Sequence, residues 1–450
     1  MTAGRFWCEL AWLGGPDAAA GVALDAAGDG TLAAVTAGVE RPPEGATVLR
    51  GLTLPGLVNA HSHAFHRGLR GWTQGDGGTF WTWRERMYGL ARRLDPDRYL
   101  ALATAAYAEM ALAGITTVGE FHYLHHDPDG RPYATDAMGE AVVEAAARAG
   151  IRLTLLDTCY LWGGIGTPPD AVQRRFSDGG AGEWAERAGR LAGTPTVRVG
   201  AAVHSVRAVD PAGIDVVAAW AAERGAPLHA HVSEQPAENE ACLAAYGRTP
   251  TALLAERGAL DARFTAVHAT HLDPADVAAL GGPGCSVCFC PTTERDLADG
   301  IGPAGQLRAA GVRLCLGSDS HAVIDLFEEA RGVELDERLA TGARGGHDPA
   351  DLLADATAGG AESLGWAGGG RLAAGAPADF CTLDPTHPTL AGTFAADGTN
   401  AAAAAVYAGA AAAVTDVVVA GRPVVAGGRH LALGDVGAAL AAAVEGAWRD

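Results

Sequence analysis

His61 and His63 stand two residues apart in GLVNAHSHAFHR (56–67), directly after an apolar run. On a strand, residues two apart face the same side, so both imidazoles share a face and Ser62 turns away. Two imidazoles at a strand end suit a divalent metal such as zinc. Read alone, the pair could equally be two hydrogen-bonded rim histidines. Three later stretches change the weighting. HAHVSE offers His229, His231 and Glu234; VHATH offers His268 and His271; GSDSH offers Asp319 and His321. Two histidines, a third histidine and an aspartate make three nitrogens and one oxygen, which leaves room on a metal for water. Such a water titrates near neutrality, at about 7, and becomes a nucleophile. Glu234 and His268 follow closely enough to move protons. Spacing does not choose between His229 and His231, which share a face.

These residues must be gathered from distant parts of the chain. Eight apolar runs alternate with longer Ala/Glu/Arg segments of helical period: LPGLVNAH, TTVGEFHY, RLTLLDTCY, VRVGAAVHSV, PLHAHVSE, FTAVHATH, CSVCFCPT and VRLCLGSDSH. That rhythm is the signature of a parallel βα array. Eight units predict a closed (β/α)8 TIM-type barrel over residues 51–370. Nearly every run ends in a polar group, among them Glu120, Arg207, Glu234 and Asp319, and the C-terminal strand ends form the rim where barrel chemistry sits. Residues 1–50 and 371–450 read as short strands with tight turns. Neither end can bury a core alone, so the two are expected to build one small β-sandwich domain together.

The chain has 450 residues and 48% apolar composition, enough for a large core. Its net charge of −20 supplies no basic face for nucleic acid. The sequence contains no lysine. This excludes Schiff-base catalysis, a phosphate-cradling lysine and a carboxylated-lysine bridge between two metals. The eight cysteines lie mostly in strand-like apolar runs, which predicts reduced, buried thiols in a reducing, cytoplasmic compartment. The opening MTAGRFWCELAWLGG makes a poor signal peptide because Glu9 breaks its apolar stretch. The alanine-rich stretch 401–414 is too short to span a membrane and reads as a buried or surface helix.

The set PGLVNAHSHAFHR, EFHYLHH, HSVRAV, HAHVSE, VHATH and GSDSH resembles the amidohydrolase superfamily over nearly the whole chain. Within it, FWTWRERMYGL, EFHYLHHDPDG and HSVRAV resemble the formimidoylglutamate deiminases of histidine degradation. The resemblance implies His61, His63, His231 and Asp319 as ligands of one zinc ion per subunit. It favours the second histidine of HAH. It implies that Glu234 protonates the departing nitrogen while His268 and Asp319 orient the water and take its proton. The implied substrate is N-formimino-L-glutamate, a small molecule with two carboxylates, bound by His66, Arg84, Tyr123, His204 and Arg207. His66 stands where the family usually has glutamine. A homodimer is the assembly that barrels of this type often form.

Each binding residue also has a plainer reading. Arg84 could pair with Glu85 or another surface acid, Tyr123 could be a core aromatic, and His204 a rim hydrogen-bond partner. CSVCFC lacks a second CxxC and reads as a buried strand rather than a metal or redox site. GIGPAG (300–305) follows no apolar strand and holds Pro303, against a nucleotide loop. His125 and His126 are expected at the pocket mouth or in solvent, and His271 and His321 just behind the site. Two rival functions stand beside the deiminase: another amidohydrolase deaminase acting on a purine, pyrimidine or triazine ring, and an inactive barrel serving as a binding or scaffold protein.

Overall fold

Strands β1 (Thr2–Ala11), β2 (Ala19–Ala27), β3 (Leu32–Thr36) and β4 (Thr47–Pro55) open the chain. The barrel strands follow: β5 (Leu57–Ser62), β6 (Ile115–His122), β7 (Arg152–Cys159), β8 (Val197–Val203), β9 (Leu228–Val232), β10 (Phe264–His268), β11 (Ser286–Phe289) and β12 (Arg313–Leu316). Then come β13 (Phe380–Leu383), β14 (Val414–Val419), β15 (Arg422–Ala426) and β16 (Arg429–His430). This computed structural model describes residues 2–75 and 78–449, the side chains of residues 2, 3, 80 and 81 excepted.

Strands β5 to β12 pair in sequential order, each parallel to the next. Each of the eight apolar runs supplies one of them. Most of these strands are buried along their whole length, as a parallel sheet covered on both faces requires. Three of the helices between them begin at an aspartate cap followed by proline, Asp95-Pro96, Asp210-Pro211 and Asp273-Pro274, where the cap side chain accepts an N–H of the first turn.

The barrel closes where β12 runs out beside β5. The Asp319 N–H donates to the His61 carbonyl at 3.0 Å, and the His63 N–H donates to the Asp319 carbonyl at 3.2 Å. Asn59 reinforces the seam, accepting from the Ser318 N–H at 2.9 Å and donating to the Ser318 hydroxyl at 2.7 Å. Gly317 permits this approach: a Cβ there would lie 2.7 Å from the His61 Cβ.

The other eight strands form one mixed sheet in the order β16-β15-β14-β13-β4-β1-β2-β3, so both termini share it. It has a core of its own around Phe6, Val22, Leu24, Leu49, Phe380 and Val418. Arg152 of β7 ties the barrel to this sheet through Asp379 at 2.6 Å. The alanine-rich stretch forms a mostly buried helix, Ala401–Ala408. Among the described residues no helix is long and apolar enough to cross a membrane. All eight cysteines are buried and free of disulfides.

Candidate metal centre and its cavity

Four side chains from three places in the barrel meet at its C-terminal rim: His61 and His63 at the end of β5, His231 on β9, and Asp319 after β12. The Asp319 Oδ1 lies 3.2 Å from the His61 Nε2 and 3.3 Å from the His63 Nε2. The His231 Nε2 lies 3.2 Å from the His61 Nε2. All four ligand atoms fall within 4.8 Å of one another, a group able to hold a metal ion.

The surroundings fix which nitrogen faces inward. The His63 Nδ1 donates to the Phe121 carbonyl at 2.9 Å, and the His231 Nδ1 donates to the His204 carbonyl at 3.0 Å. Each Nδ1 therefore carries the proton, and each Nε2 lone pair points at the cluster. Burial drives the His61 imidazole down to about 3 despite the neighbouring carboxylate, and lowers His63 and His231 as well. Burial alone would raise Asp319, but the hydrogen bond and charge of His61 hold it far below the carboxylate range. Neutral imidazoles with converging lone pairs and one ionised carboxylate suit a divalent cation.

His229 is turned to other work. Its Nε2 meets the Ser363 carbonyl at 3.0 Å. Of the two histidines that spacing left open, His231 alone belongs to the cluster.

The rim backbone is bent to serve this arrangement. Five of the eight described non-glycine residues with positive φ lie just past β9, β10 or β12 or at their ends: Ser233, His268, Ala269, Asp319 and His321. Such conformations cost about 1–3 kcal/mol each and persist where surrounding contacts hold them. Ser62, turned away as its position predicts, bonds Glu120 at 2.7 Å and the His321 ring at 3.0 Å behind the cluster. The His271 Nε2 meets the Asp299 carbonyl at 2.8 Å.

A cavity of about 180 Å³ opens over the cluster. His63, His231 and Asp319 form its floor with Glu234 and His268, and His66, Arg84, Tyr123, His204 and Arg207 also line it. The structure thus brings together every residue that sequence reading assigned to binding or catalysis, His61 lying directly beneath. The His268 Nε2 is 3.9 Å from both the Glu234 Oε1 and the Asp319 Oδ2. Its Nδ1 meets Glu294 at 3.3 Å. Burial lowers His268, but Glu294, Glu234 and Asp319 outweigh it and push the imidazole up to about 10.

Arg207 is more occupied than its position in HSVRAV implies. It donates to the Glu234 Oε2 at 3.2 Å and lies 3.3 Å from Glu238. The His66 Nε2 bonds the Tyr123 hydroxyl at 2.9 Å. The Arg84 Nε donates to the Tyr88 hydroxyl at 2.6 Å. Sequence reading missed Tyr88, Tyr160, Gln173, Glu238 and Glu294. Only Tyr88 carried a local signal, four residues beyond Arg84 on the same helix face.

One expectation is corrected. His125 and His126 are neither at the mouth of this cavity nor in solvent. Both are buried, the His125 Nε2 on the Thr158 carbonyl at 2.9 Å and the His126 Nε2 3.2 Å from Asp178. Their backbone N–H groups bond the Arg175 carbonyl, which folds the loop inward. Cys288, Cys290 and Cys315 pack with Ala60 and Val267 in a small buried cluster, as a strand reading of CSVCFC predicts.

The family model described as "Amidohydrolase family" matches residues 52–424. The chain belongs to this family. This amidohydrolase is 41% identical over 384 residues to the formimidoylglutamate deiminase of Pseudomonas aeruginosa, covering 82% of this chain and 84% of that protein. The crystal structure of an amidohydrolase from Brucella melitensis superposes with a TM-score of 0.88 at 32% identity, covering 99% of this chain and 100% of that one. An adenosine deaminase from Xanthomonas campestris, solved with bound zinc, superposes with a TM-score of 0.85 at 25% identity, covering 98% and 97% of the two chains. The amidohydrolase described here is a hydrolase of carbon–nitrogen bonds with a metal-binding His/His/His/Asp group.

Proposed function

We propose that this amidohydrolase converts N-formimino-L-glutamate and water to N-formyl-L-glutamate and ammonia. The observation that carries this reading is one cavity that joins the His/His/His/Asp group to two arginines, Arg84 and Arg207. Two carboxylates on a substrate call for fixed cations, and a guanidinium binds carboxylate by two parallel hydrogen bonds. The likeness to formimidoylglutamate deiminase supports the same substrate.

One zinc ion per subunit would be held by His61, His63, His231 and Asp319. When bound, it supplies Lewis-acid chemistry and makes a water molecule acidic near neutral pH. His66, Arg84, Tyr123, His204 and Arg207 bind and orient the substrate so that its amidine carbon faces the floor of the cavity. Asp319 and His268 align the attacking water, and Asp319 takes its proton. A carbon–oxygen bond forms, and the carbon–nitrogen bond to the terminal nitrogen breaks. The bonding pair leaves with that nitrogen, which takes one proton from Glu234 and the proton that Asp319 drew from water and departs as ammonia, while the proton of the new carbon-bound hydroxyl returns to Glu234 as the carbonyl forms. Glu294 holds the His268 ring so that its Nε2 faces Glu234 and Asp319. We extend the reading to a cytoplasmic homodimer. The buried free thiols support a reducing compartment, and light scattering tests the assembly.

One observation favours a second reading, deamination of a heterocyclic ring. Trp83, Tyr88, Tyr123, Tyr160, Trp162 and Phe176 line the same cavity and could stack a flat ring. Ammonia release from N-formimino-L-glutamate, N-formimino-L-aspartate and adenosine by the zinc-loaded protein separates the two. Turnover of adenosine without turnover of either dicarboxylate would reject the deiminase.

A further inference from the structure

Helix α1 (Phe80–Ala91) supplies Trp83, Arg84, Met87 and Tyr88 to the lining of the cavity. Among its described side chains only Met87, Leu90 and Ala91 are buried, so little apolar surface holds it down. Arg175, 0% exposed although charged, is bound to its end. The Arg175 Nη1 donates to the Ala91 carbonyl, and its Nη2 donates to the Leu94 carbonyl at 2.6 Å. One guanidinium thus grips the end of α1 and the corner where the chain turns into the next helix, Pro96–Leu112. Carbonyls at a helix C-terminus lack partners within the helix and carry the negative end of its dipole, so a cation fits there. Burial pulls the guanidinium down to about 10, which leaves it charged near neutral pH.

Two further segments meet at Arg175. Its Nε donates to the His126 carbonyl at 3.0 Å. Its own backbone carbonyl accepts the His125 and His126 N–H groups at 3.0 and 2.9 Å. Tyr123, two residues before His125, lines the cavity, and so does Phe176, the residue after Arg175. The Phe176 ring centroid lies 5.1 Å from that of Tyr123 and 5.9 Å from that of Tyr88. Three stretches that each carry cavity residues are therefore fastened by one side chain and its peptide. Arg175 is not itself among the residues lining the cavity.

We propose that Arg175 is a positioning residue that fixes α1 at the cavity and so places Arg84 for a substrate carboxylate. The proposal rests on the dicarboxylate reading above and deepens it. Arg175 acts through the backbone of α1, and Arg84, tied to Tyr88 at 2.6 Å, follows that backbone. The planar fork is what the role requires. Its three nitrogens reach carbonyls of two segments at once, whereas lysine would bring a single nitrogen.

The test uses the zinc-loaded protein with Arg175→Met, Arg175→Lys, Arg84→Met and the pair Arg175→Met/Arg84→Met. Zinc content, glutarate binding by calorimetry, KM and kcat for N-formimino-L-glutamate, and hydrogen exchange at the amides of residues 84–94 are measured. Each single variant is expected to keep its zinc. Each should weaken glutarate binding and raise KM about 10- to 100-fold, the range of a hydrogen bond to a charged group, while kcat stays within about threefold. In both Arg175 variants the amides of residues 84–94 should exchange at least about tenfold faster, with the barrel strands unchanged. The pair should match the weaker single variant within about threefold, because both changes act on one contact. A merely structural residue would instead lower folded fraction and zinc content together and leave KM of the folded remainder unchanged. That result, multiplied losses in the pair, unchanged exchange in α1, an Arg175→Lys variant with wild-type KM, or a wild-type protein that binds no glutarate would each overturn the proposal. So would failure of both Arg175 variants to fold; if only Arg175→Met fails, Arg175→Lys decides by the same criteria. If glutarate binding and exchange follow expectation but wild type releases no ammonia from N-formimino-L-glutamate, the deiminase reading fails and the role of Arg175 stands.

Discussion

Replacing Glu234 by glutamine tests the proposed chemistry at its centre. The side chain keeps its length and volume, so packing around it should persist. Its carbonyl oxygen can still accept from the Arg207 Nη2, now 3.2 Å from Oε2. Arg207 also lies 3.3 Å from Glu238, so its guanidinium is not stranded. The stability cost is therefore bounded by one weakened charge-assisted hydrogen bond, about 1.5–3 kcal/mol. Glu234 is not among the four residues of the metal-binding group, so zinc content should not change. What disappears is the proton that the departing nitrogen needs. Loss of a positioned acid costs about 10²- to 10⁴-fold in rate, or about 2.7–5.4 kcal/mol of barrier. Substrate contacts other than Glu234 remain, so KM should move less than about threefold. Steady-state ammonia release, metal analysis and thermal unfolding on the same preparation read all three quantities. A variant with full zinc and more than a tenth of wild-type kcat would show that Glu234 is not the acid. A variant that lost its zinc would show that Glu234 supports the metal instead.

The two histidines of HAH should separate cleanly. His231→Ala is expected to weaken zinc binding by at least about 100-fold and abolish turnover, whereas His229→Ala keeps its metal and loses about 1–3 kcal/mol of stability from the unpartnered Ser363 carbonyl. Metal titration and urea unfolding of both variants check this. Arg187 bridges Asp157 and Asp178, both at 2.7 Å, and Asp136 at 3.4 Å. Arg187→Leu strands these buried carboxylates and should cost about 3–5 kcal/mol near pH 7.5. That deficit should shrink as the pH falls to 4.5. In the wild type, burial would raise Asp178, but His126 and Arg187 hold it well below its usual value, so its contribution is present above about pH 4 and lost below. Without Arg187, Asp136, which burial and Asp157 already raise to about 6, loses the charge that lowers it and titrates higher still, so the variant gains stability on acidification. Denaturant unfolding at the two pH values reads the difference, and a deficit independent of pH would contradict it. Finally, none of the eight thiols should react with a disulfide reagent in the native protein, and all eight should react in denaturant.

What the sequence disclosed and what it withheld divide along a physical line. A strand's two-residue period is local, so it was enough to put His61 and His63 on one face and Ser62 behind them. The βα rhythm is local too, and it brought all eight barrel strands and their polar ends to one rim. Period alone cannot give depth along the barrel axis. His229 and His231 share an inward face on β9, yet only the second reaches the plane of Asp319, because the stagger of neighbouring strands sets that height. Pairings between remote side chains were less legible still. Arg207 shares its charge with Glu234 and Glu238 across some thirty residues, and Gln173 reaches Tyr88 across 85 residues of sequence. No periodicity encodes such contacts, since they depend on how loops lie after the barrel has closed. His125 and His126 failed for the same reason: their Pro/Gly flanks correctly signalled a loop, but Arg175 and Asp178 draw that loop into the protein. Strand chemistry thus fixes where the reaction occurs, while the loops above it decide which substrate is held there, and the binding residues rather than the metal group are where reasoning from sequence is weakest.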